Sequence, residues 1–126
     1  MDNMDLLHLC LNVSDADRAA DWYVEQFDFE RSWEFTTEDG STRNVYVAAD
    51  NGVEIQLAET EGETDLESGT AWDHVAVSTE DVDHAFESID HFGVVKEPGD
   101  QPAAGARTAF VKDPDGHHVE LVQPLE

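Results

Sequence analysis

The sequence predicts an α+β fold in which one βαβββ unit occurs twice. A histidine opens each copy on an alternating apolar strand, at His8 and His74, 66 residues apart. A polar residue with a side-chain oxygen closes each copy in a second apolar strand, at Gln56 and Glu120, 64 residues apart. Recurrence at a nearly constant spacing indicates a duplicated structural unit, and a duplicated His and oxygen-donor pair points to a metal site more strongly than one such residue does.

The first unit begins with a strand over 6–13, because leucines alternate there with polar side chains. Ser14 or Asp15 can cap a helix over 15–27, whose apolar residues recur at helical spacing. Turn signals at 38–41 and 50–52 then separate three strands over 29–36, 43–49 and 53–59.

The second unit follows a polar linker over 60–70 and repeats the same order. We expect a strand over 73–78 and a helix over 80–91, which Gly93 ends because glycine tolerates a left-handed conformation. A short strand over 94–96 precedes an irregular loop over 97–105. Strands over 106–112 and 117–123 flank the turn at 113–116.

The charge of the chain is strongly negative, with 30 acidic residues against six Lys and Arg and a net charge of −24. The acidic residues are spread along the chain, which indicates a solvated surface suited to high salt. Nucleic acid is excluded as a partner because its backbone would be repelled. A single cysteine, Cys10, permits no intramolecular disulfide. The acidic start and the lack of a long apolar run argue against a signal peptide and a membrane span, so we expect a cytoplasmic protein.

Five segments resemble the vicinal oxygen chelate superfamily, which includes glyoxalases, bleomycin-resistance proteins and dioxygenases, and within it glyoxalase I. The segments are Leu6-Leu7-His8, Ala20-Asp21-Trp22-Tyr23, Ile55-Gln56-Leu57, the stretch 69–74 that ends in Trp72-Asp73-His74, and the stretch 113–121 that contains Glu120. The resemblance covers nearly the whole chain. It implies a single domain over 1–126, made of modules at about 4–59 and 71–124.

The resemblance also implies that two curled mixed sheets build a cup around one divalent metal ion. The implied ligands are His8, Gln56, His74 and Glu120. Two imidazoles with oxygen donors suit Ni, Zn, Co, Mn or Fe(II). The family forms such a cup either within one chain or across a dimer that exchanges halves. By the same resemblance we expect a homodimer with sites at the interface, where His8 and Gln56 of one chain meet His74 and Glu120 of the other.

The implied activity is that of a lyase, which isomerises the hemithioacetal of methylglyoxal and a thiol to a lactoyl thioester through a metal-chelated enediolate. By the family's precedent Glu120 is the catalytic base. Gln56 departs from glyoxalase I, which usually has Glu there, and the resulting set also resembles methylmalonyl-CoA epimerase. Two histidines and one carboxylate resemble extradiol dioxygenases as well, and a bleomycin-resistance type of binding protein is the alternative without catalysis.

The identity of the thiol stays open, because Asn12 stands where the family has a basic residue that holds glutathione, and the loop 97–105 has no lysine. Glutathione or a related small thiol would fit. Arg43 and Arg107 are candidates for binding an anionic substrate or for surface ion pairs. Glu54 is a candidate substitute carboxylate on the strand of Gln56. Cys10 shares the face of His8 and is predicted to be a small buried hydrophobe, with a place in the lining of the pocket as the alternative.

Overall fold

The computed structural model describes residues 3–67 and 69–125, so Ser68 of the predicted linker lies outside the described residues. The chain divides into two compact units, over 1–66 and 67–126. Unit 1 contains β1 (His8–Asn12), α1 (Ala16–Phe27), β2 (Glu30–Thr36), β3 (Thr42–Ala48) and β4 (Glu54–Thr60). Unit 2 contains β5 (His74–Ser78), α2 (Val82–Ser88), β6 (Val94–Gln101), a 3₁₀ turn (Pro102–Ala104), β7 (Ala106–Lys112) and β8 (His118–Pro124).

Each unit has one four-stranded sheet, in the order β1-β4-β3-β2 or β5-β8-β7-β6. The first strand of each unit runs parallel to the last, and the other neighbours are antiparallel. Both sheets are therefore mixed, and the predicted βαβββ order is confirmed in both units.

Strand register decides which side chains share a face, because residues directly opposite each other point to the same side of a sheet. In unit 1, Cys10 lies opposite Gln56, and Gln56 lies opposite Tyr46. Two-residue periodicity places His8 on that face too. We call this side of each sheet the histidine face. The other side, which packs against the helix, is the helix face.

Helix α1 packs tightly because small residues face the sheet and aromatic residues fill the helix end. Ala16, Ala19, Ala20 and Tyr23 have no exposed surface, and Trp22 is 6% exposed. Asp15 caps the helix by accepting a hydrogen bond from the Arg18 backbone N–H at 3.0 Å. A fully buried side chain of the size of Tyr23 stabilises the fold by about 2–3 kcal/mol.

Helix α2 ends at Ser88, three residues before the predicted end, and Gly93 is not its cap. Ile89 closes the last turn onto the Ala85 carbonyl and then adopts an extended conformation. By Phe92 the backbone N–H already donates to the Lys112 carbonyl of β7. The residues after Ile89 therefore pair with β7, although their apolar spacing is compatible with a longer helix.

Strand β6 runs to Gln101, so the prediction of an irregular loop beginning at residue 97 was wrong. Two register shifts occur in its pairing with β7, one between Val94 and Lys96 and one between Lys96 and Gly99. The second shift accommodates Pro98, which has no N–H to donate to a ladder. Proline thus interrupts the pairing locally without ending the strand.

Arginine side chains fasten each helix to the helix face of its own sheet. Arg43 of β3 contacts Asp17 of α1 at 2.9 Å and Glu34 of β2 at 3.0 Å. Arg107 of β7 contacts Asp83 of α2 at 2.9 Å and bonds Asp100 at 3.1 Å. The hydrogen bond from Arg43 lowers the pKa of Asp17, and the one from Arg107 lowers that of Asp83.

Both arginines therefore form surface ion pairs, one of the two roles that their sequence positions allow.

No helix among the described residues is long and apolar enough to cross a membrane.

Candidate functional site

Two of the four predicted ligands meet in unit 2. His74 is the first residue of β5 and Glu120 lies on the neighbouring strand β8, with His74 Nε2 and Glu120 Oε1 3.1 Å apart. The Phe110 ring stands edge-on to the imidazole, with ring centroids 5.3 Å apart and planes at 90°. Both side chains are partly exposed, at 33% and 19%.

The ring of His74 is oriented by the residue before it. His74 Nδ1 lies 2.6 Å from Asp73 Oδ1, so a protonated Nδ1 donates to that carboxylate. Nε2 is then the nitrogen that keeps a lone pair, and it is the atom nearest Glu120. A carboxylate behind the distal nitrogen is how metal-binding histidines are commonly held in one tautomer.

The spacing of the two donor atoms fits a divalent metal. Ligand atoms held at about 2.1 Å on adjacent corners of an octahedron lie about 3 Å apart. The distance of 3.1 Å between His74 Nε2 and Glu120 Oε1 matches that separation. An imidazole and a carboxylate are also a ligand pair that the transition metals named above accept.

In unit 1, the equivalent pair lies on neighbouring strands β1 and β4, at His8 and Gln56. The His8 ring stands edge-on to Tyr46, with centroids 5.4 Å apart and planes at 87°, which repeats the contact of His74 with Phe110. Gln56 Nε2 donates to Oδ1 of the buried Asn44 at 2.8 Å. This bond engages the amide nitrogen of Gln56, so its carbonyl oxygen is the atom that can act as a ligand.

Glu54 lies directly opposite His8 on the same face and accepts a hydrogen bond from the Ser32 hydroxyl. The predicted substitute carboxylate therefore lies beside His8 and Gln56. It already accepts a hydrogen bond from Ser32, on the edge strand β2.

Cys10 is exposed, so the prediction of a buried hydrophobe was wrong. The strand alternation was right, but it places Cys10 on the histidine face opposite Gln56 and away from the helix. Partial desolvation raises the pKa of its thiol above the ordinary value. The group is therefore a neutral thiol near neutral pH.

A buried contact between Asp113 and His117 supports the strand that carries Glu120. Asp113 is fully buried before β8, and its Oδ1 accepts hydrogen bonds from the backbone N–H groups of Asp115 and His117 at 3.0 and 2.8 Å. His117 Nδ1 lies 2.9 Å from Asp113 Oδ2. These contacts fix the turn between β7 and β8, and therefore the start of the strand that carries Glu120.

The described residues contain no group of three or more His, Cys, Asp or Glu side chains that could hold a metal ion. Each unit supplies only one histidine and one oxygen donor of the predicted set.

Several contributors escaped sequence reasoning because their roles depend on pairing across strands. Asn44, Tyr46 and Phe110 lie on β3 and β7, which the sequence marks only as apolar strands. The offset of 64 residues between Tyr46 and Phe110 was a usable signal, since it equals the offset between Gln56 and Glu120. His118, on the strand of Glu120, is half-buried and lies opposite His74.

A sequence model of the Glyoxalase/Bleomycin resistance protein/Dioxygenase superfamily matches residues 5–121. A lactoylglutathione lyase of Arabidopsis thaliana is 32% identical over 97% of this chain and 45% of its own length. A probable lactoylglutathione lyase of Vibrio cholerae is 30% identical over 98% of this chain and 93% of its own. The chain thus spans about half the length of the plant relative and nearly all of the bacterial one.

Solved structures agree with these relatives. Glyoxalase I from Zea mays superimposes with a TM-score of 0.84 at 26% identity, covering 96% of this chain and 45% of the maize chain. TnmS3, an antibiotic binding protein from Streptomyces, superimposes with a TM-score of 0.76 at 26% identity, covering 98% of both chains. The family match extends over nearly the whole sequence and both units have the expected topology, so the chain belongs to the Glyoxalase/Bleomycin resistance protein/Dioxygenase superfamily.

Proposed function

We propose that this protein is a metal-dependent lyase of the glyoxalase I type, which converts the hemithioacetal of methylglyoxal and a small thiol into a lactoyl thioester. The observation that carries the proposal is the pair His74 and Glu120, whose donor atoms lie 3.1 Å apart beside an orienting Asp73. The names of the bacterial and plant relatives support the same activity.

The proposed metal ligands are His8, Gln56, His74 and Glu120. Unit 1 supplies the first two and unit 2 the others, either within one chain or across a homodimer that exchanges units. A bound Ni, Zn, Co, Mn or Fe(II) ion would polarise the substrate carbonyl and stabilise the negative charge that develops next to it.

Glu120 is the proposed base, since it is the one carboxylate in the ligand set. Its carboxylate removes the proton from the carbon that carries sulfur and hydroxyl and returns it to the neighbouring carbon, while the hydroxyl proton passes to the neighbouring carbonyl oxygen, so that the first carbon becomes the thioester carbonyl and the second the alcohol. Gln56 cannot share this task, because an amide does not accept a proton near neutral pH. Asp73 keeps His74 Nε2 directed at the site throughout, and Asn44 does the same for the Gln56 oxygen.

Metal content and thioester formation test the proposal together. The purified protein is stripped with a chelator, reloaded with each candidate metal, and supplied with methylglyoxal and a panel of thiols in high salt. We expect about one metal per site and thioester absorbance with at least one pair of metal and thiol. No thioester with any pair would reject the lyase, and retention of no metal would reject every enzyme reading of this site.

Antibiotic or ligand sequestration is the second candidate, favoured by the match to TnmS3 and by aromatic residues on the histidine face of unit 1. Trp33 is 52% exposed and stacks on Tyr46, with ring centroids 4.7 Å apart, and Phe35 stacks on Trp33. Such a platform can hold a planar ligand. Quenching of tryptophan fluorescence by a planar aromatic compound, in a protein that retains no metal, would favour this function over the lyase.

A further inference from the structure

The two lysines of this chain, Lys96 and Lys112, both belong to the histidine face of unit 2. Lys96 on β6 pairs directly with Phe110, which in turn pairs with Glu120. Lys112 follows Phe110 by two residues on β7 and pairs with His118, so it points to the same side. Both lysines therefore share a face with the proposed catalytic carboxylate.

The stem of Lys112 passes close to Gly93, at the point where β6 approaches β7. A β-carbon at Gly93 would come within 3.1 Å of Lys112 Cδ, so the lysine stem lies directly over the glycine backbone. Backbone bonds join the same two residues, with Lys112 N donating to the Gly93 carbonyl at 2.9 Å. Lys112 thus lies across the start of β6, the strand that carries Lys96.

Three arginines of the chain, unlike the lysines, are already neutralised by carboxylates. Arg43, Arg107 and Arg31 bond carboxylates on the helix side of their sheets. Among the described residues, by contrast, neither lysine has a carboxylate at ion-pairing distance, although the chain carries 30 acidic residues. In a chain with a net charge of −24, two lysines without a carboxylate partner on one sheet face are unexpected unless an anion from outside the chain binds there.

We propose that Lys96 and Lys112 form an anion subsite, which binds a carboxylate or phosphate at the far end of the substrate. Two strand spacings separate Glu120 from Lys96, which is about 10 Å. The substrate is then an extended thiol conjugate whose anionic group lies about 10 Å from the reacting carbons. This inference rests on the proposed function, because it places the thiol part of the same substrate.

Binding of unreactive thioethers tests the subsite independently of turnover. The probes are S-methylglutathione, whose anionic groups are carboxylates, its diester, which lacks them, and S-methyl-phosphopantetheine, whose anionic group is a phosphate. Affinities are measured by calorimetry on the metal-loaded protein. The anionic probe that binds better identifies the source of the charge.

We expect Lys96→Ala and Lys112→Ala each to weaken binding of the better anionic probe by about tenfold, with the diester unaffected. Lys96→Arg should restore most of the affinity. Arg18→Ala on α1 is the matched control, since it removes the same charge from the exposed side of a helix and should leave binding unchanged.

Wild-type affinity in both alanine variants, an equal loss in Arg18→Ala, or no binding of either anionic probe would overturn the subsite. Lysine-dependent binding without thioester formation for any metal would keep the subsite and reject the lyase. Thioester formation that is unchanged in both lysine variants would keep the lyase and reject the subsite.

Discussion

Units 1 and 2 share one scaffold and differ in the residues that it displays. In both units an acidic cap starts the helix, a long polar side chain from the last strand accepts the next helical N–H, and an arginine joins the helix to two strands. The pairs are Asp15 and Asp81, Glu59 and Gln123, and Arg43 and Arg107. Duplication has therefore preserved the contacts that build the fold.

The histidine faces differ along the row of paired residues that crosses each sheet. The row is Cys10, Gln56, Tyr46 and Trp33 in unit 1, and Ala76, Glu120, Phe110 and Lys96 in unit 2. Unit 1 thus presents a neutral amide and stacked aromatic rings, whereas unit 2 presents a carboxylate and a cation. Under the proposed function, unit 1 would bind apolar parts of the substrate, whereas unit 2 would supply charge and proton transfer.

Exchanging the carboxylate of unit 2 for an amide should have the largest effect. Glu120→Gln keeps an oxygen donor but removes the proposed base, so we expect kcat to fall by about 10²–10⁴ while the metal is partly retained. Single-turnover assays with metal analysis measure both quantities. Turnover close to that of the original protein would refute Glu120 as the base.

The buried carboxylate of the unit 2 turn has no counterpart in unit 1, where Ala49 occupies the position of Asp113. Backbone bonds from Ala49 N to the Val53 carbonyl and from Gly52 N to the Ala49 carbonyl hold that turn, together with Asn51 Oδ1, which accepts from the Val53 N–H. Asp113→Ala should lower the free energy of unfolding by about 3 kcal/mol, because it leaves buried donors of His117 and Asp115 without their acceptor.

Urea denaturation measures this loss. Asp113→Asn, which keeps an oxygen acceptor, is the control and should cost less. A loss below about 1 kcal/mol for the alanine variant would show that the turn is held chiefly by its backbone.

Making the two units alike at the ligand position should tighten metal binding. Gln56→Glu adds a second carboxylate to the proposed set, and we expect the metal dissociation constant to fall by about tenfold or more, which corresponds to about 1.4 kcal/mol. Competition with a chelator gives the constant. Glu59→Gln, on the helix face of the same strand, changes a charge in unit 1 outside the proposed site. An unchanged constant for Gln56→Glu would mean that Gln56 is not a ligand.

The smallest effect concerns the exits of the two helices. Asp28 ends α1 in a left-handed conformation at φ 57°, whereas α2 leaves through the extended Ile89. Asp28→Gly should raise the free energy of unfolding by about 0.5 kcal/mol, because it removes backbone strain and a negative charge at a helix C-terminus. The greater conformational freedom of glycine in the unfolded chain opposes part of this gain. Thermal melting detects this change, and destabilisation would contradict the strain argument.

Most of the fold could be predicted from the sequence, because alternation of apolar residues, helical spacing and turn residues are local signals. The described residues contain the predicted strands and helices of both units in the predicted order, and the family resemblance is confirmed. The failures lie in unit 2, at the end of α2 and in β6, where pairing with β7 decided the backbone conformation of residues 89–101. Such pairing joins residues that are distant in sequence and leaves no local mark.

The sequence by itself determined the duplicated architecture and the candidate ligands His8, Gln56, His74 and Glu120, because a repeat is visible without coordinates. Only the tertiary structure decided how these groups are oriented and which charges are free. Asp73 and Asn44 bond two of the candidate ligands, Arg43 and Arg107 are paired with carboxylates, and the lysines share the face of Glu120. The physical reason is strand register, which fixes the neighbours of a side chain across the sheet, and no spacing along the chain specifies those neighbours.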